Sequence, residues 1–176
     1  IVGATGARAE EPGHDLTYLA ESGLVTHCTL PPTLYADMAG SLMASEAVLQ
    51  ALLHRGMHGG GTRIEVALSV AAHYLALPRR WGLTTPGGSV GGAHAGYRVY
   101  PCRDGRVALA ALEPHFAQRL CAAVGLGAEA GNAMFRSSTH AAIAAFVQGR
   151  DCDEIEALAR QHDLPLHVLR DEAEPG

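Results

Sequence analysis

Apolar positions recur along this chain with two different periods, and the change of period divides it. In "DMAGSLMASEAVLQALLHRG", residues 37–56, Leu42, Val48, Leu49, Leu52 and Leu53 fall on helical spacing, with Asp37 in the cap position and Gly56 as a stop. The pattern predicts a long helix packed into a core. Upstream, a short helix is expected over 15–22, with Asp15 as N-cap and Gly23 just past its end, and Pro31-Pro32 sits in the loop that follows. Downstream, "GGGTRIEVALS" predicts a strand over 63–68, then a helix over 70–77 ending before Pro78. Ile1-Val2 running into glycine reads as the end of a buried strand, which implies preceding chain.

Past residue 86 the pattern changes. "LTTPGGSVGGAHAGYRVY" is glycine-rich and aperiodic, so a loop of unusual backbone freedom is expected, marking a domain boundary between 1–86 and 87–176. "AGYRVYPCRDGRVALAAL" reads as a hairpin, with Tyr97 to Pro101 and Arg106 to Leu112 joined at Arg103-Asp104-Gly105. A helix opening at Pro114 and two more near 138–147 and 153–162 complete a small α+β unit. The expected class is α/β: part of a Rossmann-like large domain, then a small α+β domain with an antiparallel hairpin.

Composition narrows the chemistry. The 176 residues, 48% of them hydrophobic, suffice for a buried core. A net charge of -5, with scattered arginines and no basic stripe, argues against nucleic acid. All 13 basic residues are arginine, which excludes a Walker-type phosphate loop, a Schiff-base lysine and a lysine base. Cys28, Cys102, Cys121 and Cys152 form no Cys-x-x-Cys pair, so no metal site is expected and the thiols read as reduced and intracellular. No apolar run approaches the roughly 18 residues of a membrane span, and no secretory signal is written, so a soluble cytoplasmic protein is expected.

Four stretches, in order, resemble the family III CoA-transferases (the CaiB/BaiF family), and especially their α-methylacyl-CoA racemase branch. "GHDLTYLAESG" is similar to a Gly-His-Asp-x-Asn-Tyr segment, "LYADMAG" to Leu-x-Ala-Asp-x-Ala-Gly, "GGGTRIEVALS" to Gly-x-Gly-Gln-x-Val-Asp-Val-x-Met, and "GYRVYPCRDGRVALAALEPHF" to a tyrosine hairpin followed by Glu-Pro-x-Phe. Departures are Thr17 for Asn, Ser41 for Gly, and Arg63 and Glu65 for Gln and Asp. Family members are roughly twice as long, so the chain resembles their central and C-terminal part.

The resemblance implies an enzyme acting on acyl-CoA, with coenzyme A entering as part of the substrate and no separate cofactor. In the racemase branch His14 and Asp37 would stand on opposite faces of the substrate α-carbon, one removing the proton and the other returning it. Glu113, from the partner subunit of an interlocked homodimer, would orient the imidazole. Gly13, Asp15, Tyr18, Ala36, Gly91, Gly92 and Tyr97 would contact substrate or CoA. In the transferase branch Asp37 would attack the thioester and carry CoA as an aspartyl thioester. A third alternative is an inactive truncated relative that binds or assembles. By itself each residue has a plainer role: Asp37 as an N-cap, His14 as a turn residue, Glu113 as a first-turn charge. His54 and His58, four apart, read as a solvated helix end, with the helix broken at Gly56. The free N–H groups opening the Asp37 helix are expected to serve an oxyanion.

Overall fold

The computed structural model describes residues 1–127 and 131–170. The chain divides into two compact units, Ile1–Trp81 and Gly82–Gly176, whereas the sequence pattern put the change at 86–87.

In the first unit, α1 (Asp15–Glu21) is capped by His14, whose backbone is extended, and not by Asp15. Thr17 closes the turn: its Oγ1 accepts the His14 N–H at 3.0 Å and donates to the His14 carbonyl at 2.7 Å. Gly23, at φ 80°, lets the chain reverse so that Leu24 N–H reaches the Leu19 carbonyl at 2.9 Å. Tyr18 and Leu19 face inward and join Ala4, Ala36 and Ala72 in a small core.

Helix α2 (Tyr35–His58) starts before Asp37 and runs through Gly56, ending at Gly59 with φ 71°. One interior glycine costs about 1 kcal/mol, too little to stop a helix of this length. His54 and His58 therefore lie one turn apart, ring centroids 4.9 Å from each other. The expected burial of the apolar face fails: Leu42, Leu49 and Leu53 are 72%, 67% and 66% exposed. What packs is the N-terminal end, through the small residues Ala36 and Gly40. A Cβ on Gly40 would lie 2.4 Å from Leu68 Cδ2, so any larger residue would make the Leu68 side chain move for α2 to keep this approach to α3 (Leu68–Leu75). Pro78, which has no N–H, then opens the short α4 (Leu77–Arg80).

Residues 63–66 form no strand. A strand needs a neighbour to take its N–H and C=O groups, and here the pairing is a single parallel bridge, Val2 to Ala67. Val2 N–H donates to the Val66 carbonyl at 2.9 Å, and Leu68 N–H to the Val2 carbonyl at 3.1 Å.

The second unit is built on the hairpin. β1 (Tyr97–Cys102) and β2 (Gly105–Ala110) pair antiparallel across a two-residue turn, with Tyr97 opposite Ala110. β3 (Leu166–Arg170), absent from the sequence expectation, adds to β2 and gives the order β1-β2-β3. One face, carrying Tyr100, Val107, Leu109 and Val168, packs against α5 (Pro114–Val124), α6 (Ser137–Gln148) and α7 (Cys152–His162). Met134 and Ile143, fully buried, fill the space between them. The mixed α/β class stands, with a small antiparallel sheet in place of any longer parallel one among the described residues.

Candidate functional site

The first unit's candidate residues meet at the start of α2. Asp15, 5% exposed, turns its carboxylate away from its own helix. Its Oδ1 accepts the Ala36 N–H at 2.6 Å and the Asp37 N–H at 3.1 Å. Asp15 thus caps α2 across space, an anion on the positive end of a helix dipole. The consequence is that His14, its chain neighbour, and Asp37, its hydrogen-bond partner, are tied to one corner.

Two expectations change with this. Asp37 occupies the third position of α2 and is not its cap, and two of the N–H groups expected to serve an oxyanion are taken by Asp15. Ala36 is fully buried. Gly13 lies against Tyr18: a Cβ there would sit 2.3 Å from Tyr18 Oη. Tyr18 is 4% exposed and belongs to the core. His14 is exposed and Asp37 half-buried. The His14 side chain takes part in the α1 capping box, turned to the Thr17 N–H, whereas among the described residues the Asp37 carboxylate has no hydrogen bond or ion pair.

In the second unit, Gly91, Gly92 and Tyr97 line one open cavity of about 530 Å³ with Val90, Arg98 and Ala110. The glycine loop beside it is tightly held. A Cβ on Gly91 would lie 1.8 Å from the Thr85 carbonyl oxygen, and Gly92 adopts φ 106°. Close packing, more than freedom, selects glycine at 91. Arg98 Nη1 donates to the Gly92 carbonyl at 3.2 Å and meets His140 Nδ1 at 3.2 Å, while His140 Nε2 is 2.8 Å from the Ala93 carbonyl. Because guanidinium can only donate, His140 Nδ1 accepts and Nε2–H donates to Ala93. His94, 6% exposed, accepts the Gly96 N–H on Nδ1 at 3.1 Å. Burial first, and the nearby His140 second, push His94 below its usual value.

Sequence reasoning passed over Arg98, His140 and His94. Arg98 stood within a quoted stretch, but His140 lies 42 positions away from it, and no local period links them. Glu113 is exposed at the N-cap position of α5, its side chain capping nothing.

The sequence profile of "CoA-transferase family III" matches residues 2–174. The chain belongs to this family. A CaiB/baiF CoA-transferase family protein of Caenorhabditis elegans is 31% identical over 137 residues, which are 67% of this chain and 40% of that protein. Rv3272 of Mycobacterium tuberculosis superposes with a TM-score of 0.73 at 23% identity, over 97% of this chain and 50% of its own. A CAIB/BAIF family protein of Brucella suis gives a TM-score of 0.65 at 21% identity, over 97% and 51%. The chain therefore spans about half the length of these relatives. At such identities the structures speak for the fold alone. No helix of the described residues is long and apolar enough to cross a membrane.

Proposed function

We propose that this chain carries the reacting residues of an acyl-CoA-processing enzyme that inverts the α-carbon of a 2-methylacyl-CoA by two-base proton transfer. The observation that carries the reading is the Asp15 clamp. It caps α2 in place of Asp37 and leaves the Asp37 carboxylate unengaged at the corner where the exposed His14 also sits. A half-buried, unengaged carboxylate and an exposed imidazole at one corner are groups that can move a proton at one carbon. One group takes the α-proton, the thioester delocalises the resulting charge, and the other returns a proton on the opposite face. CoA arrives as part of the substrate.

Asp37 also suits the transferase reading, in which its carboxylate attacks the thioester carbonyl. The helix start favours an anion there by about 0.3–1 kcal/mol, which serves a nucleophile as well as a base. His14 favours inversion, because nucleophilic transfer leaves it without a task. The test is to follow a single enantiomer of a 2-methylacyl-CoA by chiral chromatography, with hydroxylamine present in a parallel reaction. Inversion that stops in His14→Ala supports the proposal. An acyl hydroxamate formed through Asp37, without inversion, replaces it with transfer.

The exposed apolar face of α2 supports an interlocked homodimer in which Glu113 of a second copy orients the His14 imidazole.

A further inference from the structure

The thiols of Cys102 and Cys152 lie 3.6 Å apart, although fifty positions separate them in sequence. Cys102 ends β1 and is partly exposed; Cys152 opens α7 and is buried. Between them sits Asp104, in the hairpin turn. Its Oδ1 accepts the Cys152 N–H at 2.8 Å and lies 3.7 Å from Cys102 Sγ. Gly105 lies against the same corner: a Cβ there would be 2.4 Å from the Leu169 carbonyl oxygen and 3.2 Å from Cys152 Sγ.

We propose that Cys102 and Cys152 are a redox-active pair that a hydroperoxide converts to a disulfide, locking the hairpin to α7. The exposed member reacts first. Cys102 sulfur attacks the peroxide oxygen, the O–O bond breaks, an alcohol or water leaves, and Cys102 becomes a sulfenic acid. Cys152 sulfur then attacks Cys102 sulfur, the S–OH bond breaks and water leaves with the Cys152 proton. Two thiols are oxidised and one peroxide is reduced. To bond, the sulfurs must close from 3.6 Å to about 2.05 Å.

A metal is the other use for such a cluster, since Cys102, Asp104 and Cys152 offer ligand atoms within 4.8 Å of one another. The surroundings disfavour it. Burial above all pushes the Cys152 thiol up to about 12, which opposes the thiolate a metal requires. Asp104 Oδ1 is also already committed to the Cys152 N–H. The same burial makes Cys152 an inert thiol until Cys102 has been activated beside it.

The test is brief treatment of the 176-residue chain with hydrogen peroxide, alkylation of remaining thiols, and tryptic mass mapping without reductant. Cleavage at arginine yields peptides 99–103 and 151–160, one with Cys102 and the other with Cys152. The proposal expects them joined, with loss of two hydrogens, in the single-chain band of a denaturing non-reducing gel, and a thermal midpoint raised by roughly 10 °C that dithiothreitol reverses. Cys102→Ser abolishes the rise, whereas Cys28→Ser leaves it intact. Recovery of both peptides as separate alkylated thiols would overturn the proposal, as would their cross-linking only between chains. Spectral binding of cobalt(II) with full protection of both thiols would overturn it in favour of a metal site.

Discussion

Asp15 shows at the scale of one residue how a sequence reading can find the right segment and assign the wrong task. An aspartate before an apolar run is ordinarily read as a cap for the next helix in sequence. Here the residue caps a helix 21 positions away, because its burial leaves the Ala36 and Asp37 N–H groups as its available partners. Contacts of that range leave no trace in local period. Asp15→Ala should strand two N–H groups at a buried helix start and cost about 2–4 kcal/mol, read by denaturant melts. Asp15→Asn, which keeps an oxygen acceptor, should cost less than half of that. If the two variants are equally stable, the clamp is not what fixes this corner. The quoted motifs singled out His14 and Asp37; that Asp15, not Asp37, caps α2 was not legible, since that is a statement about distant partners.

The elements were mostly readable where local chemistry decides them. The Arg103-Asp104-Gly105 turn and Pro114 at the first position of α5 fixed a hairpin and a helix that the structure contains. β3 escaped because it is five residues long and owes its existence to an open edge of β2. The strand expected over 63–68 failed for the converse reason, having one bridge to Val2 and no ladder. The glycine loop was found but misjudged, and its packing makes a prediction. Gly91→Ala should destabilise the second unit by about 1–3 kcal/mol through the clash with the Thr85 carbonyl. Gly87→Ala, which meets nothing within 4 Å, should be nearly neutral. Equal effects on thermal melting would refute the packed loop. The same unit should weaken in acid. His94 is held below its ordinary 6.5 by burial, so the unfolded chain binds that proton more readily. Its stabilisation is complete above pH 6.5 and is lost as pH falls toward the lower folded value. Asp104 and Asp151, held below 3.8 chiefly by backbone N–H groups, add a second loss as pH falls through their lowered values. Melting midpoints measured from pH 8 to pH 3 should fall in two stages, and His94→Asn should remove the first. A first stage that persists in that variant would contradict this assignment.

At the scale of the whole molecule, α2 dominates. Leu42, Val48, Leu49, Leu53 and Met57 expose an apolar band that a lone chain cannot easily keep in water. The helical period was visible in sequence, but a period does not say what a face packs against, and these side chains stay exposed. The proposed homodimer predicts a two-chain mass by light scattering at micromolar concentration, shifting to one chain in Leu49→Glu with Leu53→Glu. A wild-type monomer would contradict it. Family membership also sets the frame for chemistry, and the most direct measurement of the proposed reaction is isotopic. One enantiomer of a 2-methylacyl-CoA is incubated with the chain in heavy water and followed by proton NMR. Deuterium is expected at the α-carbon together with inversion, because a base that removes the proton exchanges it with solvent. Asp37→Asn should slow inversion by roughly 100-fold or more, and His14→Ala should stop inversion while Asp37 still exchanges protons on its own face. Unchanged α-hydrogen over many hours, with or without acyl transfer to a carboxylate acceptor, would contradict two-base chemistry at His14 and Asp37.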